Sequence, residues 1–472
     1  MSLQPPECQD IVIIGVSGDL ASRKLIPALY DLERAELMPD GARVIGMART
    51  DLQQDGLVQL AKASIKQFSR RDIDIDAWER FVRRLCFIRL DEEGYRRAAE
   101  VTADHPRLIY LSVPPSAYPG IIGNLAASGL NQNARLVVEK PFGSDLHSSR
   151  ELSRIIREAF EEQQIFRIDH YLGKETVQNI IVFRFANAVF ERVWNRDSIE
   201  HVQMTVAESI GIEGRGSFYE ETGAVRDIIQ NHVLQVLSLL AMEPPVDMHP
   251  EAIRDEKAKV FRAMRPLKPE ECVRGQYTRG EIEGTLANAY REEPDVAQES
   301  QTETYFATRV EIDSWRWAGV PFFIRTGKRM PLRATEVVIA FRGAPLLMFQ
   351  GTGMETLRPN HLVLRIQPNE GINLTFLAKQ PGPEMTVRHV NMNFFYHESF
   401  MTEPAEAYER LLYEVMEGDH TLFAREDSVD LAWQVIQPVL EQPPQLCFYP
   451  AGSLGPTEAD QLIAPHGGWH LK

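Results

Sequence analysis

The run Arg167-Ile168-Asp169-His170-Tyr171-Leu172-Gly173-Lys174-Glu175 crowds a carboxylate, an imidazole, a phenol and an ammonium into a short stretch directly after an apolar strand-like segment. Loops this dense in convergent polar groups usually serve a site. The apolar run Ile165 to Ile168 ends at Asp169, and Gly173 to Arg184 has helical periodicity with Val177, Ile180 and Ile181 on one face. His170 and Lys174 therefore fall between a strand end and a helix start, where backbone N–H groups favour negative charge. The chemistry this suits is an anion held beside an acid–base pair.

A base for such a pair is offered by His232. Ala224 to Met242 reads as one helix in which Val225, Ile228, Ile229, Val236 and Leu239 lie at offsets of three, four and seven from His232, placing the imidazole amid the apolar face. Burial disfavours the charged ring, so His232 is expected to be neutral near pH 7 and free to accept a proton. A lone histidine on an apolar face is more often a satisfied core residue. Asp227 and Asn231 on the same helix, and a carboxylate such as Asp169 to orient the ring, favour the functional reading. In the strand from Ile199, period two puts Glu208 on the same apolar face as Val202, Met204 and Val206. A carboxylate there needs a polar partner, and a sugar hydroxyl would serve. Arg325, Lys328 and Arg333 bring three cations to a strand end. With His170 and Lys174 they could share a phosphate and hydroxyls.

The start of the chain points to a dinucleotide. Ile11 to Ile14 reads as a buried strand, Gly15-Val16-Ser17-Gly18-Asp19-Leu20-Ala21 as a glycine turn, and Leu25, Ile26, Ala28, Leu29 and Leu32 recur at helical spacing. This is the opening of a βαβ unit with a pyrophosphate on the helix N-terminus, although the spacing Gly15-x-x-Gly18-x-x-Ala21 lacks one glycine of the usual fingerprint. The strand Arg43 to Met47 runs into Arg49 and Thr50, where NAD would call for a carboxylate; an Arg and a Thr suit a 2′-phosphate and so NADP. Val138-Glu139-Lys140-Pro141 ends another strand, which directs Lys140 into the nucleotide crevice and makes Lys140–Pro141 a candidate cis peptide.

The elements that must position these groups divide near residue 170. Up to there, strand-like runs (11–14, 43–47, 108–113, 136–139, 165–168) alternate with helical patterns such as 57–68 and 148–159, the signature of an α/β, Rossmann-type doubly wound parallel sheet over residues 1–170. Residues 171–472 instead carry strands in series (199–208, 304–313, 322–326, 337–342, 361–367, 371–379, 387–395), which predicts an α+β domain with a large, mainly antiparallel sheet and packed helices. Ala287 to Thr304, polar and proline-containing, reads as an exposed loop. One face of the large sheet must be covered by the helices 224–242 and 404–417 or by a second subunit, so a homo-oligomer is expected.

Composition narrows the class. The 472 residues exceed what one core supports, and 44% hydrophobic with 25% charged is an ordinary globular mix. A net charge of −16 argues against nucleic-acid binding. No stretch approaches the roughly 18 apolar residues of a membrane span, and the N-terminus lacks the basic and apolar regions of a signal peptide, so a cytoplasmic protein with no membrane partner is expected. Cys8, Cys86, Cys272 and Cys447 are scattered without ligand spacing, which indicates neither a metal site nor a disulfide framework.

Taken together, Gly15-x-Ser17-Gly18-Asp19-Leu20-Ala21 with Lys24, Glu139-Lys140-Pro141-Phe142-Gly143, the run around His170, Glu213-Gly-Arg-Gly216, Arg226-Asp227 with Gln230-Asn231-His232, and Gly319-Val-Pro-Phe322 with Arg325-Thr-Gly-Lys328 resemble the glucose-6-phosphate dehydrogenase family. The resemblance spans nearly the whole chain. It implies oxidation of glucose 6-phosphate at C1 with hydride transfer to NADP, the first step of the oxidative pentose phosphate pathway, in a homodimer or homotetramer. It also implies His232 as general base and Asp169 as its orienting partner. His170, Tyr171 and Lys174, with Lys328 and Arg333, match the phosphate site, and Lys140, Glu208, Asp227 and Gln367 the sugar-hydroxyl contacts. Gly15, Ser17, Gly18, Asp19, Leu20, Lys24, Arg49, Thr50 and Lys140 match the cofactor set. After Arg425 the only Lys or Arg is Lys472, so the second, structural NADP site of some relatives is expected to be absent. Two other readings share these features: a Rossmann oxidoreductase of unphosphorylated sugars, against which the cations Lys174, Lys328 and Arg333 speak, and an NADP-binding regulatory relative without turnover, against which the intact Asp169 and His232 speak.

Overall fold

Ile11, Val12, Ile13 and Ile14 are all fully buried, as β-branched residues are in a central parallel strand with helices on both faces. In the computed structural model, which describes residues 3–344, 359–400 and 406–471, their strand is Asp10–Ile14, paired in parallel with Val44–Ala48 on one side and Arg107–Leu111 on the other. The chain forms two units. The first comprises Met1–Lys174, Pro245–Asp255 and Pro404–Asp430, and the second Glu175–Pro244, Glu256–Glu403 and Leu431–Lys472. The first crossing thus lies at Lys174, four residues beyond the expected 170, and two later segments return to the first unit.

The sheet of the first unit runs Phe423–Ala424, Ile165–Ile168, Ala134–Val138, Arg107–Leu111, Asp10–Ile14, Val44–Ala48, Leu85–Arg89, parallel throughout except for the first strand. Leu85–Arg89 was not anticipated, because only Leu85 and Ile88 of it are buried and charged helices, Ile75–Arg84 and Glu92–Val101, flank it. Side chains start the helices: Asp74 accepts the Ala77 N–H at 2.8 Å, and Asp145 accepts the Ser148 N–H at 2.7 Å. The strand order reverses between Asp10–Ile14 and Arg107–Leu111, which is where doubly wound sheets bind ligands. The expected helix 404–417 is Ala407–Glu417, with 404–405 outside the described residues; it belongs to the first unit, where it packs on Ile26–Arg34.

The sheet of the second unit runs Val387–Phe395, Gly371–Lys379, His361–Gln367, Ala334–Phe341, Ile199–Ala207, Phe322–Gly327, Tyr305–Val310, Cys272–Thr278, Leu446–Pro450. It is mainly antiparallel, with two parallel pairings, Phe322–Gly327 on Ile199–Ala207 and Leu446–Pro450 on Cys272–Thr278. The single expected helix 224–242 is three segments, Gly216–Ala224, a π-helical Val225–Val233 and Leu234–Ala241. The stretch Ala287 to Thr304 is not a simple exposed loop: Tyr290, Ser300, Glu303 and Thr304 are buried within it. Among the described residues no helix is long and apolar enough to cross a membrane.

Candidate active site

At the strand switch of the first unit the backbone closes around a glycine. Gly15 has φ +92°, and a Cβ there would lie 2.3 Å from the Ser112 carbonyl oxygen, so no side chain is admitted. The Gly18 N–H donates to Gly15 O at 2.9 Å, and the chain enters a π-helical turn, Ala21–Leu25, that leads into Ile26–Arg34. Ser17 and Asp19 are exposed at the mouth, with Gly18 and Leu20 half-buried. The buried Ser112 hydroxyl has no hydrogen-bond partner among the described residues. Arg49 and Thr50 stand exposed at the end of Val44–Ala48, and Arg49 makes no hydrogen bond or ion pair among the described residues. A backbone cradle, a helix start and an unpaired guanidinium fit a dinucleotide with a 2′-phosphate. Two expected contacts already have protein partners: Lys24 pairs with Glu406, and Asp19 with Arg23 at 2.6 Å.

The signature run folds as a tight turn at the end of Ile165–Ile168. Asp169, 2% exposed, accepts the Tyr171 N–H on its carboxylate at 2.9 Å and the Leu172 N–H on its carbonyl at 3.0 Å, and the Lys174 N–H donates to Tyr171 O at 3.1 Å. Because the turn uses these amides, the helix begins at Glu175 rather than Gly173. The Lys174 ammonium sits 5.4 Å from the Tyr171 ring centre, and the His170 ring 5.2 Å from it, so the three form one cluster. Gly173 is a packing necessity: a Cβ would meet Ala407 O at 2.9 Å and the Leu411 side chain at 3.0 Å.

Ahead of Lys140, Glu139 is buried among three tyrosines. Its carboxylate accepts from Tyr110 at 2.5 Å and Tyr408 at 3.1 Å, while the Tyr118 hydroxyl accepts the Glu139 N–H at 3.3 Å. Burial pushes the Glu139 carboxyl up and the phenol hydrogen bonds oppose it. The strand end that carries Lys140 is thereby fixed, and its peptide bond to Pro141 is cis. Tyr408 lies far along the chain, which is why no local pattern announced it.

In the second unit the register gathers the remaining residues. Ala207 is the partner of both Gly327 and Ala334, and Thr335 is the partner of Gln367. Glu208, Lys328, Arg333 and Gln367 therefore emerge at one end of four adjacent strands. The Lys328 ammonium, 2% exposed, pairs with Glu208 at 2.7 Å, so the polar partner expected for Glu208 is a cation of the chain itself. Arg333 is exposed, and the Gln367 amide donates to the Thr335 hydroxyl at 3.2 Å. Tyr219, absent from the sequence reading, lies under the ammonium with its ring centre 5.1 Å from Lys328 Nζ. Burial first, then the charges of Asp227 and Glu208, hold its phenol well above the ordinary value, so these residues share one electrostatic neighbourhood. Arg325 departs from expectation. It points to the opposite face, donates to Thr205 Oγ1 at 3.1 Å and Leu471 O at 2.7 Å, and stacks 4.4 Å from the Trp469 ring. It anchors the chain's C-terminal segment instead of joining the other cations.

His232 is 1% exposed, and the apolar residues expected around it, Val225, Ile228, Ile229, Val236 and Leu239, are buried with it. Gln230, Asn231, Gln235 and Ser238 are buried too, so the helix is enclosed on its polar side as well instead of presenting that side to solvent. Asn231 Oδ1 accepts the His232 N–H at 2.6 Å and Asn231 Nδ2 donates to Arg226 O at 3.1 Å, which locks that turn. Away from this region, Glu200, His201 and His466 approach within 4.8 Å of one another. Gln203 Oε1 takes the His470 N–H at 2.8 Å and its Nε2 faces His201 Nε2 at 3.0 Å, which puts the His201 proton on Nδ1. Burial lowers that ring's pKa to about 4. Neither nitrogen of His201 offers a free lone pair, so this trio does not form a metal centre.

Comparison with known proteins identifies the family. Residues 12–179 match the model of the glucose-6-phosphate dehydrogenase NAD binding domain, and residues 181–470 that of the glucose-6-phosphate dehydrogenase C-terminal domain. The glucose-6-phosphate 1-dehydrogenase of Aggregatibacter actinomycetemcomitans is 44% identical over 97% of this chain and 96% of its own length. A crystal structure of glucose-6-phosphate 1-dehydrogenase from Mycobacterium avium is 41% identical and superposes with a TM-score of 0.89 over 99% of both chains. A glucose-6-phosphate dehydrogenase solved in complex with its substrate glucose-6-phosphate is 35% identical, with a TM-score of 0.91 over the full length of both. With both domain models matched in order and relatives aligned end to end, this chain belongs to the glucose-6-phosphate dehydrogenase family.

Proposed function

We propose that the chain oxidises glucose 6-phosphate at C1 to 6-phosphogluconolactone with NADP, the entry step of the oxidative pentose phosphate pathway. The observation that carries this reading is the emergence of Glu208, Lys328, Arg333 and Gln367 at one end of four adjacent strands in a unit that also buries His232. NADP, when bound, supplies the hydride acceptor. Gly15, Ser17, Gly18, Asp19, Leu20, Lys24, Arg49, Thr50 and Lys140 would hold it. His170, Tyr171 and Lys174, with Lys328 and Arg333, bind the sugar phosphate through charge-assisted bonds, and that remote binding positions C1. Lys140, Glu208, Asp227 and Gln367 orient the hydroxyls. His232, desolvated and neutral, takes the C1 hydroxyl proton as the C1 hydride leaves, so the C–O bond becomes the lactone carbonyl. Asp169 orients the ring and stabilises the imidazolium.

Initial rates of reduced-nicotinamide formation test this with glucose 6-phosphate and free glucose, each with NADP and NAD. Turnover confined to the phosphorylated sugar and faster with NADP is expected. Turnover of free glucose alone would reassign the chain to unphosphorylated sugars, and none with any pair to a binding protein. We also infer a homodimer or homotetramer, supported by Met385 and Met392, 55% and 61% exposed near and on the outer strand Val387–Phe395; light scattering reads the mass. The four unpaired cysteines support a cytoplasmic location.

A further inference from the structure

The helix that carries His232 is held from outside by a buried carboxylate. Gly223 breaks the preceding helix with φ +60° and ψ −179°, a conformation open to glycine, and the π-helical segment starts at Val225. Glu303, 6% exposed, comes from the stretch ahead of Tyr305–Val310. Its Oε1 accepts the Val225 N–H at 3.2 Å and its carbonyl accepts the Ala224 N–H at 3.0 Å. A Cβ on Gly223 would lie 2.4 Å from that same Oε1, so the glycine makes room for the carboxylate. The other oxygen is held by Arg274, whose Nε and Nη2 lie 3.4 and 3.3 Å away. Arg274 is pinned in turn by the carbonyls of Pro444, at 3.0 Å, and Gln301, at 2.5 Å.

We propose that Glu303 is a positioning residue for the dehydrogenation: by capping the first turn of Val225–Val233 it sets where Asp227 and His232 stand. This rests on the reading of His232 as the base. A carboxylate at that end satisfies orphan N–H groups and matches the helix dipole. Its partner Arg274 sits on the strand Cys272–Thr278, so the helix start is referenced to the sheet rather than to its own neighbours.

The test compares Glu303→Ala, Glu303→Gln and Glu303→Asp with the parent, with rates expressed per folded molecule. Loss of the cap should lower kcat about ten- to a hundredfold in the Ala variant, as displacement of a reacting group by about 1 Å does, with KM for NADP unchanged. Gln, which keeps an acceptor for the Val225 N–H, should stay within about threefold of the parent. Where Glu303→Ala does not fold, Glu303→Asp decides, because it keeps a charge beside Arg274 yet withdraws the acceptor, and it should be about tenfold slower. Equal kcat in parent, Ala and Asp variants, or an equal loss in Gln and Asp, would overturn the proposal. His232→Asn is assayed alongside. A slow His232→Asn with unaltered Glu303 variants sinks only the positioning role, whereas a fast His232→Asn removes the base and the positioning role with it.

Discussion

The glycine turn of the first unit and the His232 helix of the second are built on opposite principles. Around Gly15 the binding surface is backbone: a carbonyl, turn amides and a helix start, with exposed side chains only at the rim. Around His232 it is buried side chains, each needing a partner from elsewhere, such as Asn231 on the Arg226 carbonyl, Lys328 on Glu208 and Glu303 on Val225. Both regions contain a π-helical stretch, Ala21–Leu25 and Val225–Val233. The contrast shows a division of labour. Backbone recognition suits a ligand that must come and go, while buried, mutually satisfied polar groups suit chemistry that needs fixed geometry and low dielectric.

That contrast makes quantitative demands. His232→Asn removes the group that takes the proton and leaves the phosphate cluster alone, so kcat should fall about 10² to 10⁴-fold with KM for glucose 6-phosphate nearly unchanged. Steady-state kinetics at saturating NADP would break the comparison if the loss appeared in KM instead. Lys174→Ala, half-buried in the turn after Ile165–Ile168, should act the other way: KM for the phosphosugar rises about ten- to a hundredfold, the range of one charged hydrogen bond, with a smaller change in kcat. Arg49→Ser touches only the rim of the nucleotide crevice. It should raise KM for NADP about tenfold and leave that for NAD as it was, since a single guanidinium–phosphate contact is lost; an equal rise for both cofactors would mean that Arg49 does not read the 2′-phosphate.

The same division decides what could be read from the chain. Gly15, the turn at Asp169 and the strand ends at Lys140 and Glu208 were legible because each depends on local spacing, a period of two or a glycine that only one backbone shape requires. Tyr408 on Glu139, Tyr219 under Lys328 and Glu303 on Val225 were not, because each contact joins distant segments and no periodicity encodes it. Arg325 was misplaced for a related reason. Alternation reveals that it and its strand neighbours face opposite ways, but not which face the C-terminal segment covers. The enclosure of the polar side of the His232 helix was not legible either, because a helix buried all round depends on distant segments, and its π-helical stretch has no residue signature.

The first unit also holds a pair of carboxyls, Asp31 buried and Glu409 half-buried, and its effect should appear in stability instead of turnover. Glu409, on Ala407–Glu417, faces Asp31 on Ile26–Arg34, and burial first, then the Asp31 charge, pushes its carboxyl up to about 7. Burial raises Asp31 as well, against the hydrogen bond from Ser69. An unfolded glutamate titrates near 4.3. Between that value and about 7 the folded state therefore holds a proton that the unfolded chain has released, and stability falls as pH rises through this window. Glu409→Gln cannot lose that proton. Its thermal midpoint should match the parent's near pH 5 and exceed it by a few degrees at pH 8, with kcat unchanged, because the residue belongs to neither the phosphate cluster nor the His232 helix. Parallel midpoint curves from pH 5 to 8 would show that the Asp31–Glu409 pair relaxes into solvent, and would confine costly polar burial to fully enclosed groups, Glu139 among its tyrosines in the first unit and the His232 helix in the second.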